Sequence, residues 1–406
     1  MLPISKVFCQ LAVVLGCFFS VSANAVDSDF DTLPDEWERA NNRNPEVADY
    51  MISTRPFLYN ISRTHVCSID DVGVKCWGGD NGYGQLNVPS ELSNPISIAV
   101  GASHSCAIDD SGVVCWGKND DGQLDVPEGI EGTRLLSLGR RHSCVIDQVG
   151  VKCWGGNSYT GESSVPATIS NPTVISANHY ATCAIDDNGA TCWGSGFRGN
   201  NELPDGLVNP KDISIGITHG CALDDNGVQC WGDSLFGKTD VPDDLVNPIM
   251  VAVGSYNSCA IDDNGLQCWG SQSYGVNDIP QGLSEVTDVA ISHKHACALS
   301  LAGVTCWGKP DNGQNIVPEL SFDPDNDGVD SSVDELPLDP TESVDTDKDG
   351  IGDNKDLVND LFDARLFQVN SLSFSGTITN GILSAGSRVS LTVRNTSNRT
   401  VKINSL

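Results

Sequence analysis

The stretch HSCAIDDSGVVCWG, residues 104–117, sets two cysteines nine positions apart around an Asp-Asp-Ser-Gly turn. The same arrangement returns along the chain. Beyond residue 25 the cysteines fall at 67/76, 106/115, 144/153, 183/192, 221/230, 259/268 and 297/306, each pair nine apart and successive pairs offset by 38 or 39. Trp-Gly follows every second cysteine, at Trp77, Trp116, Trp154, Trp193, Trp231, Trp269 and Trp307. A period of this size kept through seven copies marks a repeat architecture.

One unit can be read from residues 95–127. PISIAVGAS alternates and is rich in β-branched residues, which predicts a strand. HSCAID predicts a second strand, DDSG a turn and VVCWG a third strand, before a loop with GQLDVP leads to the next unit. Three or four short strands per unit match a propeller blade. Seven such units predict an all-β fold, a seven-bladed β-propeller over residues 52–320. A solenoid would need atypical capping repeats, and the outermost units are ordinary.

The turn sets the register. A four-residue loop at Asp109–Gly112 puts Ile108 opposite Val113 and Cys106 opposite Cys115, with Gly112 in the left-handed conformation. A three-residue loop would put Cys106 opposite Trp116 instead. Directly opposed cysteines in a non-hydrogen-bonded pair approach closely enough for a disulfide. The expected bridges are Cys67–Cys76, Cys106–Cys115, Cys144–Cys153, Cys183–Cys192, Cys221–Cys230, Cys259–Cys268 and Cys297–Cys306. Zinc fits poorly, because each unit has two thiols and the nearby histidine slot (His65, His104, His142, His219, His295) holds Ala181 and Asn257 in two units. Redox catalysis lacks its Cys-x-x-Cys spacing. Strand alternation sends Cys115 and Trp116 to opposite faces, so the tryptophan of one blade is expected near the disulfide of the next.

The units resemble the regulator of chromosome condensation repeat, with its Gly-x-x-His, apolar-Asp-Gly hairpin, Trp-Gly and Gly-Gln-Leu elements. Here these read GASHSCAIDDSGVVCWGKNDDGQL (101–124), and GQL recurs at Gly84-Gln85-Leu86. The cysteines stand where the usual pattern has aliphatic or aromatic strand residues. The resemblance covers about two-thirds of the chain. It implies a seven-bladed propeller used as a protein-binding platform. Some members of that family act as exchange factors for a small GTPase, and secreted bacterial members include an inhibitor of β-lactamases.

Charge and leader bound the setting. The 406 residues carry 54 acidic and 23 basic side chains, a net −31. Such a surface repels nucleic acid and anionic lipid and suits cations or a basic protein partner. Residues 1–25 combine Lys6, the apolar run VFCQLAVVLGCFFS and Ala23-Asn24-Ala25, which predicts a secretory signal peptide cleaved after Ala25. A lipoprotein box ending at Cys17 fits poorly, since Phe18 and Phe19 prolong the apolar run. No other segment is long and apolar enough to span a bilayer. A bacterial-type protein exported to the periplasm, cell surface or medium is expected, where disulfides persist.

Hairpin tips repeat Asp70-Asp71, Asp109-Asp110, Asp186-Asp187, Asp224-Asp225 and Asp262-Asp263, with Asp147-Gln148 weaker and Ser300-Leu301 a departure. Two readings stand: aspartate as a favoured turn residue, and a broken acidic ring that docks a basic partner.

Two further stretches carry alternate carboxylates around a glycine, the pattern that supplies hard oxygens to calcium. They are DPDNDGVDSSVD (323–334), with Asp323, Asp325, Asp327 and Asp334, and DTDKDGIGDNKD (345–356), with Asp345, Asp347, Asp349, Asp353 and Asp356. Their doubling resembles thrombospondin type 3 repeats. DSDFDTLPDEWE (27–38) is a third copy with Asp27, Asp29, Asp31, Asp35 and Glu38, although Thr32 replaces the glycine. Calcium is thus the expected structural cofactor. The domain reading is a signal peptide (1–25), a calcium-type loop with a short helix (26–51), the propeller (52–320), a calcium-binding linker (321–360) and a β-rich tail of four or so strands that stops mid-pattern (361–406).

No Gly-x-Ser-x-Gly, phosphate loop or His-Glu-x-x-His appears, so a binding protein is expected rather than an enzyme. The leading expectation is a monomeric, secreted or surface-displayed protein-binding scaffold. The alternatives are a secreted enzyme inhibitor and a carbohydrate-binding or carbohydrate-active propeller.

Overall fold

The computed structural model describes residues 51–54, 65–156, 159–300, 302–309 and 312–323, most of 325–346, Asp353, and the backbone of strands between 367 and 403. Contacts divide the chain into two compact units, one around the repeats and one around the C-terminal strands. The expected signal peptide and the 27–38 loop lie outside the described residues.

The repeats form seven three-stranded antiparallel sheets, each with its strands in sequence order. Blade 1 holds Met51–Thr54, Val66–Asp70 and Gly73–Trp77; blade 2, Ser97–Val100, His104–Asp109 and Gly112–Gly117. Blade 3 holds Leu135–Leu138, His142–Ile146 and Val151–Gly155; blade 4, Val174–Ala177, Ala181–Asp186 and Gly189–Gly194. Blade 5 holds Asp212–Ile215, His219–Asp224 and Gly227–Gly232; blade 6, Met250–Val253, Asn257–Asp262 and Gly265–Gly270; blade 7, Val286–Ile291, His295–Ser300 and Gly303–Gly308. Each first strand lies against the first strand of the next blade, and Met51–Thr54 lies against Val286–Ile291. The seven sheets thereby close into a propeller with the first strands innermost.

The middle strands are buried along their whole length, as strands covered on both faces must be. In every blade the two cysteines face each other, as in Cys106↔Cys115, with Cα atoms 4.0–4.1 Å apart, and all seven expected disulfides form. The ladder runs one pair further than the sequence reading, to Asp109↔Gly112, leaving a two-residue turn. Gly112 takes a φ of 114°, a region other residues avoid.

The tryptophans correct one expectation. Trp116 clusters with Cys67 and Cys76, Trp231 with Cys183 and Cys192, Trp269 with Cys221 and Cys230, and Trp307 with Cys259 and Cys268. These tryptophans therefore meet the disulfide of the preceding blade, not the following one. Alternation separates the two side chains onto opposite faces, but the direction in which the chain winds round the ring decides which neighbour each face meets.

The seven tryptophans also pin the connectors. Trp116 Nε1 donates to the Gln85 carbonyl at 2.9 Å, a residue 31 positions earlier in the connector leaving blade 1. The same bond recurs from Trp154, Trp193, Trp231, Trp269 and Trp307, and Trp77 completes the ring by donating to Gln314 at 3.0 Å. Several of the same carbonyls also accept from the middle strand of that blade, as Gln85 does from Ser105 Oγ at 3.2 Å, so these connectors are anchored between neighbouring blades.

Antiparallel order gives the propeller two distinct ends. The hairpins between second and third strands lie with the starts of the first strands, at what we term the tip end. Turns between first and second strands, and the connectors leaving third strands, lie at the opposite loop end. The C-terminal unit contains a sheet in the order Phe367–Ser375, Arg388–Asn395, Thr400–Ile403 and a ribbon of Ile378–Thr379 with Ile382–Leu383, five strands where the sequence suggested about four. No helix among the described residues is long and apolar enough to cross a membrane.

Candidate functional site

At the tip end the paired aspartates have a defined structural job. The first member is buried: Asp70, Asp109, Asp186, Asp224 and Asp262, together with Asp147. Asp109 Oδ1 accepts the Ser111 amide at 2.7 Å, which caps the turn, and Oδ2 accepts the Ser93 amide at 3.0 Å, which ties down the incoming connector. Asp186, Asp224 and Asp262 repeat both bonds. Burial pushes the Asp109 carboxyl up, but the Ser111 hydroxyl and the amides of Ser93, Ser111 and Gly112 outweigh it and hold the group below its ordinary value. The second members are exposed. Asp110, Asp187, Asp225 and Asp263 each accept from Asn94, Asn171, Asn209 and Asn247 at 2.6–2.7 Å. Those asparagines sit at φ of 48–50°, which asparagine tolerates better than most residues. Asp71 Oδ2 accepts the Asp323 amide at 2.6 Å.

The recurring histidines are buried joints between blades. His65 Nε2 lies 2.7 Å from Ser105 Oγ, His104 3.0 Å from Ser143, His142 2.9 Å from Thr182 and His219 3.0 Å from Ser258. Each hydroxyl in turn donates to the connector carbonyl that the tryptophan uses, as Ser143 does to Gln123 at 2.9 Å. Where the histidine is replaced by Ala181 or Asn257, the next blade carries Gly220 or Ala296 in the hydroxyl slot. A side chain at Gly101 would overlap the His104 ring, which explains the glycine three places before that histidine.

The loop end has a different chemistry, one the sequence reading did not single out. Of the eight Tyr and Phe residues between 65 and 323, seven are there: Tyr83, Tyr159, Tyr180, Phe197, Phe236, Tyr256 and Tyr274. Seven of the eleven Lys and Arg residues in the same span join them: Lys118, Arg140, Arg141, Arg198, Lys238, Lys294 and Lys309. Tyr159 is 94% exposed, and Phe197, Leu235 and Phe236 are also largely exposed. Phe236 holds a φ of 69°, an unusual conformation for an aromatic residue, and its ring stands edge-on to Tyr256 at 5.6 Å. The strip continues from Tyr256 to His293 (4.9 Å) and from His293 to Tyr274 (5.4 Å). Lys294 Nζ lies 5.0 Å from the centre of the Tyr274 ring.

Two cations here are held in place. Lys238, fully buried, donates to Thr218 Oγ1 at 2.6 Å and Asp233 Oδ2 at 3.0 Å. Burial lowers its pKa despite the Asp233 partner. Arg140 Nη1 donates to His179 Nε2 at 2.9 Å and to Tyr180 Oη at 3.0 Å, across the joint between blades 3 and 4. Burial, reinforced by Arg140 and Arg141, pushes His179 down to about 4, so the ring is neutral at pH 7 and its Nε2 can accept.

Residues 96–123 match the Regulator of chromosome condensation (RCC1) repeat. The chain is an RCC1-like seven-bladed propeller. Its fold is similar to the CRINKLY WD40 ectodomain of the Arabidopsis thaliana receptor kinase ACR4, with 23% identity and a TM-score of 0.53 over 66% of this chain and 97% of that one. It is also similar to the ectodomain of the Physcomitrella patens receptor kinase CR4, with 21% identity and a TM-score of 0.52 over 64% of this chain and 74% of that one. Prp20p of Saccharomyces cerevisiae aligns at 18% identity and a TM-score of 0.49, over 64% of this chain and 80% of that one. Comparison with curated proteins returned no match.

Beyond this RCC1-like propeller, the calcium-type segments are described in part. Asp325, Asp334, Glu342 and Asp345 are buried. Asp353 Oδ1 accepts the Thr346 amide at 2.8 Å. Among the described residues, no three such side chains converge on one point. Asp327, Asp347, Asp349 and Asp356 lie outside the described residues.

Proposed function

We propose that the chain is an exported binding protein whose disulfide-stapled propeller captures a protein partner through its loop end. The observation that carries this reading is the gathering at that end of seven of the eight Tyr and Phe residues between 65 and 323, several of them exposed. Large amphipathic rings supply contact area at little entropic cost, and aromatic residues with arginine dominate protein interfaces. Seven disulfides fit an oxidising compartment. Affinity capture from envelope and medium, with the whole chain and with a Tyr159→Ser/Phe236→Ser variant, tests the reading. Loss of partner in the variant supports it, and undiminished capture refutes it. Assaying the captured partner with and without the propeller separates an inhibitor from a passive scaffold.

A second reading places a basic partner at the tip end, where Asp110, Asp187, Asp225 and Asp263 are exposed. Capture by an Asp110→Asn/Asp187→Asn/Asp225→Asn variant distinguishes the two ends. Calcium belongs to the same proposal. Asp323, Asp325, Asp327 and Asp334, and Asp345, Asp347, Asp349, Asp353 and Asp356, would hold one ion per loop, and the burial of Asp325, Asp334 and Asp345 within this alternating carboxylate pattern supports the reading. Calorimetric titration of the whole chain with calcium, against an Asp325→Asn/Asp345→Asn variant, checks it.

A further inference from the structure

The turns that join first to second strands surround the axial mouth of the propeller, because the first strands are innermost. Six of them are described: residues 101–103, 139–141, 178–180, 216–218, 254–256 and 292–294. They contain Arg140, Arg141 and Lys294, two histidines and two tyrosines, and no Asp or Glu at all. These six described turns are therefore basic within a chain that carries 54 acidic and 23 basic residues. The acids of the loop end sit further out, on the connectors, as Asp121 and Asp233 do; Asp121 lies 3.7 Å from Arg141.

Arg140 is also oriented in advance. One of its nitrogens is fixed by His179 and Tyr180, at 2.9 and 3.0 Å, which sets the plane of the guanidinium. A planar guanidinium held in this way is suited to bidentate recognition of a carboxylate. The acidic rim and acid-free centre together favour a narrow acidic element approaching along the axis over a broad acidic surface. The first strand of blade 1 begins at the tip end, and residues 321–323 lie there beside Asp70 and Asp71.

We propose that the axial ring of turns is a receptor for a carboxylate-rich protein segment, a loop or chain end, with Arg140 as its principal reader and Arg141 and Lys294 as supporting cations. This rests on the loop end being the binding end, and it adds the chemistry of the occupant.

The test titrates the whole chain into a fluorescein-labelled ten-residue oligoglutamate peptide and follows anisotropy at low and moderate salt. Saturable binding is expected, weakening as salt rises. Arg140→Gln/Arg141→Gln should weaken it tenfold or more, and Arg140→Lys, which keeps the charge but not the fork, should weaken it severalfold. Lys211→Gln, at the tip end, should change nothing. No saturable binding, binding indifferent to Arg140 and Arg141, or binding of polygalacturonate alone overturns the proposal. If partner capture then still depends on Tyr159 and Phe236, the loop-end reading survives and only the acidic occupant is lost.

Discussion

His104 Nε2 lies 3.0 Å from Ser143 Oγ in the next blade, and that hydroxyl donates onward to the Gln123 carbonyl. Because the serine proton is committed to the carbonyl, the histidine must be the donor in the first bond. The pair links two blades through one hydroxyl. Ser143→Ala leaves a buried ring nitrogen without its acceptor and is expected to cost about 1–3 kcal/mol. Thermal or urea unfolding measures it, and a double-mutant cycle with His104→Asn should show coupling between the two positions.

Acid should loosen the same joints. Burial, with Lys238 nearby, pushes His219 from its ordinary 6.5 down to about 3 in the folded protein. Below 6.5 the unfolded chain takes up a proton that the folded chain refuses, so stability falls as the pH drops from 6.5 toward 3. One such group gives a slope of up to about 1.4 kcal/mol per pH unit. His219→Asn, borrowing the residue found as Asn257 in blade 6, should flatten that part of the curve. Urea midpoints measured between those limits in parent and variant decide it.

The two aspartates of a tip should separate in their effects. Asp109 is buried and accepts from Ser93 and Ser111, so Asp109→Ala should destabilise by about 1.5–3 kcal/mol. Asp110 is exposed and accepts from Asn94, so Asp110→Ala should stay within about 0.5 kcal/mol. Equal effects would contradict the division of labour between capping and surface carboxylates.

Each disulfide closes a short loop, nine residues in separation. Replacing Cys106 and Cys115 together by alanine should lower stability by about 2.5–3 kcal/mol on loop entropy. Mass spectrometry of the unreduced protein should find all fourteen cysteines of the propeller in nine-apart pairs.

Local features were legible in the sequence. The Asp-Asp-Ser-Gly turn determined that Cys106 faces Cys115, because a hairpin's register depends on a few neighbouring residues. The neighbour of Trp116 was not legible, since it depends on how blades succeed one another round the ring. The loop-end aromatics escaped for a related reason. Tyr83, Tyr159, Phe197, Phe236 and Tyr274 follow their tryptophans at offsets of six, five, four, five and five, so no fixed motif announces them, and only the topology brings them to one end. The histidine joints did leave a trace. Ala181 and Asn257 each precede a unit that lacks the hydroxyl, as Gly220 and Ala296 show. Reading the units pairwise, with each histidine slot set against the hydroxyl slot of its successor, would have revealed a contact between blades.

One bond stands apart from its six counterparts. Trp116 and its equivalents reach back 31 residues, whereas Trp77 reaches 237 residues ahead to Gln314. The adjoining histidine joint is missing as well: Val66 occupies the hydroxyl slot, and His295 turns to Ser292 at 2.6 Å. Lys75 and Asp70 reinforce this place instead, through the Glu319 carbonyl and the Ser321 amide. The molecule is therefore a belt with a buckle. Six fastenings link units adjacent in the chain, and the seventh draws on residues 314–321; a chain cut just before Gln314 would lose these bonds and close its ring on strand contacts alone.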